Sequence, residues 1–146
     1  MAVLIDNRQN RHNIPLKRLT ATAQAILNAL DCPEGELSIL IVDDPDIASL
    51  NRQYLDRTGA TNVIAFPMRE GEFSGLSPGL LGDVVISADT AYHEGGETQD
   101  GFRRRFTELL IHGILHLFGY DHEDDVRQAQ EMDAKSAELL ERVGTI

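Results

Sequence analysis

The apolar positions of this chain fall into two periods, one helical and one extended, separated by turn residues. Leu16 to Leu30 carries Leu16, Leu19, Ala23, Ile26, Leu27 and Leu30 at helical spacing, with Pro15 near its start, which predicts an amphipathic helix. Leu37 to Val42 is a near-continuous aliphatic run and predicts a buried strand. Val3 to Asp6, Thr61 to Phe66 (stopped by Pro67) and Gly82 to Ser87 predict further strands. Asp44-Pro45 opens a helix through about Tyr54, with Asp44 as its cap and Pro45 in its first position. A short helix from Asp89 to about Glu94 ends at Gly95-Gly96, and a long one follows from about Thr98 to Phe118. After Glu123-Asp124-Asp125, which offset a helix dipole, Val126, Ala129, Met132, Ala137, Leu139 and Leu140 mark a last amphipathic helix. The pattern lapses between Met68 and Leu80, where Gly71, Gly75, Pro78 and Gly79 predict a long loop. Three or four strands with about five helices predict an α/β (α+β) fold, with a small mixed sheet and a long central helix packed on it.

Composition narrows the class. The 146 residues, 42% apolar and 25% charged, suit one compact domain spanning 1–146. No apolar run approaches the roughly 20 residues of a membrane span. The start, Met1 to Asp6, lacks a basic and apolar leader, and Cys32 is the only cysteine. A cytoplasmic protein without disulfides is expected. The net charge of −11 runs against nucleic-acid binding, except that Arg103, Arg104 and Arg105 form one dense basic run. Arg105 precedes His112 by seven residues, so it is expected about two turns away on nearly the same face, roughly 10 Å along the helix. A solvated helix end is the other reading of that run.

Three of the five histidines lie within eleven residues: His112-Gly-Ile-Leu-His116-Leu-Phe-Gly119-Tyr-Asp121-His122. On a helix, His112 and His116 share a face one turn apart. Gly119 can take a left-handed conformation, end the helix and let His122 return toward the pair. Three imidazoles around an ion with a fourth position open describe a catalytic zinc site. Nickel or another divalent metal also suits imidazole ligands. Zinc brings the pKa of a bound water to near ~7 and polarises carbonyl or phosphoryl oxygens, so metal-assisted hydrolysis is the expected chemistry.

The spacing duplicates the metzincin protease pattern H-E-x-x-H-x-x-G-x-x-H, in which the Glu is the general base. Here that position is Gly113, which accepts no proton. Two other carboxylates are candidates. Glu108 is one turn before His112 on the ligand face, and Asp121 adjoins the third histidine, where it can also orient an imidazole. In RNA, the 2′-hydroxyl can itself attack the phosphodiester if a metal stabilises the developing charge.

The run from His112 to His122 resembles the signature of the YbeY family, bacterial metal-dependent endoribonucleases of ribosomal RNA maturation. Gly after the first His and Tyr120-Asp121 before the third distinguish it from the metzincins. Leu50-Asn51 through Tyr54, Thr61-Asn62-Val63-Ile64-Ala65-Phe66-Pro67, Leu81-Gly82-Asp83-Val84-Val85-Ile86-Ser87 and Glu131-Met132 agree with it, so the likeness spans roughly residues 36 to 142. It implies a small α/β fold and a zinc ion held by His112, His116 and His122. It implies cleavage of single-stranded RNA, a part in 16S rRNA 3′-end processing and ribosome quality control, and ribosomal or small-subunit protein partners. The family usually carries an Arg directly after the Tyr matching Tyr54. This chain has Leu55 there, and Arg57 is expected to take over by a local shift. A metalloprotease-like hydrolase and a non-catalytic, zinc-containing ribosome assembly factor are the alternatives.

Overall fold

The computed structural model describes residues 3–68, 80–120 and 125–146. Its elements run β1 (Val3–Asn7), α1 (Leu16–Ala29), β2 (Glu36–Val42), α2 (Asp44–Leu55), β3 (Val63–Pro67), β4 (Leu80–Ser87), α3 (Ala88–Glu94), α4 (Gln99–Leu117) and α5 (Val126–Val143). The sheet order is β1-β2-β4-β3, parallel except for β3, which pairs antiparallel with β4 at the edge. The expected α/β architecture, a small mixed sheet with five helices among the described residues, is therefore observed. Most of the predicted Met68–Leu80 loop lies outside the described residues, as do Asp121, His122, Glu123 and Asp124.

The aliphatic run of β2 faces two ways. Leu37, Ile39 and Ile41 enter a large core with Val84, Ile86 and the inner faces of α1, α4 and α5. Leu40 and Val42 point to the opposite face, where they pack with Ile47 and Leu50 of α2 and with Ile64 and Val85. Burying side chains of this size contributes about 1.5–3 kcal/mol each, which is why a strand in this position reads as nearly all aliphatic.

Several boundaries differ from expectation; β4, for one, begins at Leu80, two residues before Gly82. Asp43, not Asp44, caps α2, accepting a hydrogen bond from the Asp46 backbone N–H at 3.0 Å. Asp44 is already helical, and its Oδ1 accepts from Ser87 Oγ at 2.5 Å and Thr90 Oγ1 at 2.6 Å, tying α2 to the start of α3. The third strand begins at Val63 and retains Pro67. An edge strand tolerates a residue without an N–H, because one side of its ladder is unpaired.

Candidate metal centre and adjoining clefts

Helix α4 carries the candidate centre and is fixed at both ends. Thr98 caps its start through a hydrogen bond from Gly101 N at 3.0 Å. Its end is a Schellman turn: Gly119 N donates to His116 O at 3.0 Å and Tyr120 N to Leu115 O at 3.0 Å. Gly119 takes φ +95°, a conformation that an L side chain resists, so the expected helix stop is observed.

Half-buried His112 and His116 sit one turn apart, with ring centroids 4.6 Å apart and their Nε2 atoms separated by 3.0 Å. Tetrahedral zinc with Zn–N bonds of about 2.0–2.1 Å brings ligand nitrogens to about 3.3 Å from each other. The two Nε2 atoms thus stand near the separation that a shared ion requires. Among the described residues no third His, Cys, Asp or Glu completes a metal-binding group. The expected third ligand, His122, and its neighbour Asp121 lie outside the described residues.

The pair opens into a cleft of about 420 Å³ lined by both histidines, Gly113, Thr61 to Ala65, Pro67, Leu55 and Arg57. Arg57 is the one Lys, Arg, Asp or Glu among those lining residues. Local backbone geometry brings it there. Helix α2 ends at Asp56, which is left-handed at φ 51° and ψ 40°. Arg57 N then donates to Asn51 O, and the buried Asn51 side chain holds Gly59 O at 3.0 Å. Leu55 and Arg57 therefore reach the same cleft from either side of a turn.

Gly113 faces the sheet. A Cβ there would stand 2.6 Å from Val84 Cγ1 and 3.2 Å from Val63 Cγ2. α4 lies too close to β4 for any side chain at this position, so the glutamate of the protease pattern has no room.

Glu108 lines a second groove, of about 370 Å³, between α4 and α5. There it accepts from Arg105 Nη1 at 3.2 Å and lies 3.7 Å from Arg104 Nε. Arg105 Nε donates to Glu94 of α3 at 2.9 Å, and Glu94 also accepts from Asn62 Nδ2 at 3.2 Å. Burial works to lower the Arg105 pKa, but the bonds and charges of Glu94 and Glu108 outweigh it and raise the value. The basic run is thus divided. Arg105 is clasped, Arg104 is exposed, and the Arg103 Nε is buried without a hydrogen-bond partner among the described residues. Arg105 and His112 do share one groove, as their seven-residue spacing predicts.

Sequence reasoning gave no role to Asn62, Asp133 or Ser136, all of which line the α4–α5 groove together with His112. Asn62 stood in a quoted segment, Thr61-Asn62-Val63, but its position beside the histidines depends on the antiparallel packing of β3. Asp133 and Ser136 read as outward positions of an amphipathic helix, and only the docking of α5 on α4 brings them to the site.

The profile of the family described as Endoribonuclease YbeY matches residues 4–144. Proteins named Endoribonuclease YbeY are similar along the chain. The one from Syntrophotalea carbinolica is 51% identical, covering 95% of this chain and 93% of its own. Those from Geobacter metallireducens and Geobacter sulfurreducens are 49% and 48% identical, with both chains covered in full. A Thermotoga maritima protein solved in solution shares the fold, with a TM-score of 0.63 at 23% identity over 97% of this chain and 88% of that one. The chain belongs to the Endoribonuclease YbeY family.

Proposed function

We propose that this protein is a zinc-dependent endoribonuclease that cuts single-stranded RNA, acting in the cytoplasm on ribosomal RNA at the 16S 3′ end and in ribosome quality control. Family membership supports the reaction class, since the relatives carry the name endoribonuclease. The observation that carries the zinc is the 3.0 Å approach of His112 Nε2 and His116 Nε2 at a cleft that also holds Arg57. His112, His116 and His122 would hold the ion. When bound, it supplies Lewis-acid polarisation of a phosphoryl oxygen and a more acidic water.

The chain's own residues bind and orient. Arg57 gives the cleft its cationic hydrogen-bond donors, suited to the non-bridging oxygens of a phosphodiester. Val63, Ile64 and Gly113 form an apolar wall that limits water around the phosphate. Gly113 argues against a peptidase, because that position cannot carry the base such an enzyme uses. Glu108 is engaged by two arginines, so Asp121 is the carboxylate proposed to take the proton of the attacking oxygen, whether that oxygen belongs to water or to the RNA 2′-hydroxyl. The product ends separate these routes. Attack by the 2′-hydroxyl leaves a 2′,3′-cyclic phosphate and a 5′-hydroxyl, whereas attack by water opens the bond without a cyclic product. Ribosomal or small-subunit proteins are proposed to bring this acidic protein to its RNA.

The test is metal content and RNA cleavage of purified wild type, His112→Ala and Arg57→Ala. We expect one zinc per wild-type chain, loss of zinc and cleavage in His112→Ala, and zinc retained in Arg57→Ala with RNA cleavage down by roughly 10²-fold, the scale for losing one charge-stabilising donor. Cleavage by a zinc-free His112→Ala protein would overturn the zinc reading.

A further inference from the structure

We propose that the groove between α4 and α5 seats the nucleotide next to the scissile phosphodiester, and that Asp133 reads its base. The inference rests on the endoribonuclease reading above. The groove and the histidine cleft are neighbours with a common wall, since Asn62, Val63 and His112 line both. Each has a volume of the order that holds one small molecule, about 370 and 420 Å³. A strand of RNA with its phosphate beside His112 therefore places one nucleotide in each.

The groove's polar groups are unequally committed. Arg105 is held by Glu94 at 2.9 Å and Glu108 at 3.2 Å, so its charge is answered within the protein. The Asp133 carboxylate, one helix away on α5, is exposed and has no hydrogen-bond or ion-pair partner among the described residues, and neither has the half-buried Ser136 hydroxyl beside it. Val63, Leu109 and Leu140 supply apolar surface for a base to lie against. Arg104, with a side chain 66% exposed, stands at the same groove to meet a phosphate. A carboxylate only accepts hydrogen bonds. Between the pyrimidines it favours cytosine, whose N4 amino group donates, over uracil, which presents a carbonyl oxygen at that position.

Binding of zinc-loaded protein to short 2′-O-methyl oligocytidylate and oligouridylate, whose blocked 2′-oxygens prevent attack by the 2′-hydroxyl, tests the groove directly. Wild type is expected to favour the cytidylate by about tenfold, the scale of one hydrogen bond to a charged group. Asp133→Asn, whose amide both donates and accepts, is expected to lose most of that preference. Glu141→Gln, an exposed position of α5 outside both clefts, is expected to keep it. Equal binding of the two oligomers by wild type, or an unchanged preference in Asp133→Asn, overturns the inference. Cleavage of the unmodified RNAs by wild type is a separate readout. Its absence, with an Asp133-dependent preference intact, counts against the endoribonuclease reading and leaves the groove as an RNA site.

Discussion

At the scale of single residues, Gly113 decides most. Its absent side chain lets α4 lie against Val84 of β4 and Val63 of β3, and the same helix turn presents His112 to the cleft. Gly113→Ala would put a methyl group 2.6 Å from Val84 Cγ1. We expect it to destabilise the fold by about 1–3 kcal/mol, as overpacking does, read as a lower midpoint in urea unfolding. Zinc affinity should fall with it, because the displaced helix carries His112 and His116, two of the proposed ligands. Unchanged stability would mean that α4 is free to move off the sheet. The sequence alone shows that Gly113 is not a base; the reason for a glycine comes from residues 29 and 50 positions away. Arg57 has a similar history. Its place in the cleft follows the left-handed turn at Asp56, which neither Asp56 nor the preceding Leu55 marks in the sequence.

At the scale of elements, α3 acts as a strap. Its first turn binds Asp44 of α2 through Ser87 and Thr90, and its last residue, Glu94, holds Arg105 of α4. Between them Asp89 accepts from Asp44 N at 3.0 Å and pairs with His12 Nε2 at 2.9 Å, while the His12 ring packs on Tyr92 and Phe102. Burial works to raise the Asp89 pKa, but the Asp44 N–H, His12 and Arg11 outweigh it and hold it below the usual carboxylate value. A lowered carboxylate pKa adds stability above the unfolded-state value near 3.8, lost as pH falls through the folded-state value. Asp89→Asn should therefore cost about 1–3 kcal/mol at neutral pH, and the gap to wild type should close in acid, measured by denaturation from pH 7 down to pH 2. A gap independent of pH would contradict this account. The helices and strands were legible because their apolar spacing is local. This strap was not, since His12 and Asp89 are 77 residues apart and neither belongs to a motif. The α2 cap was misplaced by one residue for the same reason. Asp43 and Asp44 are equivalent as caps in sequence, and only the contact of Asp44 with α3 distinguishes them.

At the scale of the whole molecule, the charge of −11 sets how RNA is held. Arg57 and the exposed Arg104, which stands 3.7 Å from Glu108, are the cleft cations left to meet phosphate, since Arg105 is clasped by two carboxylates. With about two phosphate contacts, the affinity for single-stranded RNA should fall with salt at a log–log slope of about −1.4, at −0.7 per contact. A slope steeper than about −4 would require a basic surface elsewhere. Among the described residues no helix is long and apolar enough to cross a membrane. The candidate centre was legible to the extent that chemistry is carried by spacing: His112, His116 and the Gly119 stop follow from helix geometry. What spacing leaves out is the wall of β3 facing the histidines and the α5 groove beside them, both products of long-range packing. The most direct measurement of the central claim is cleavage of an end-labelled single-stranded RNA by wild type and His116→Ala, each stripped of metal and then given zinc. The account predicts cutting only by zinc-restored wild type. Full cutting by metal-stripped wild type, or by His116→Ala, would contradict it.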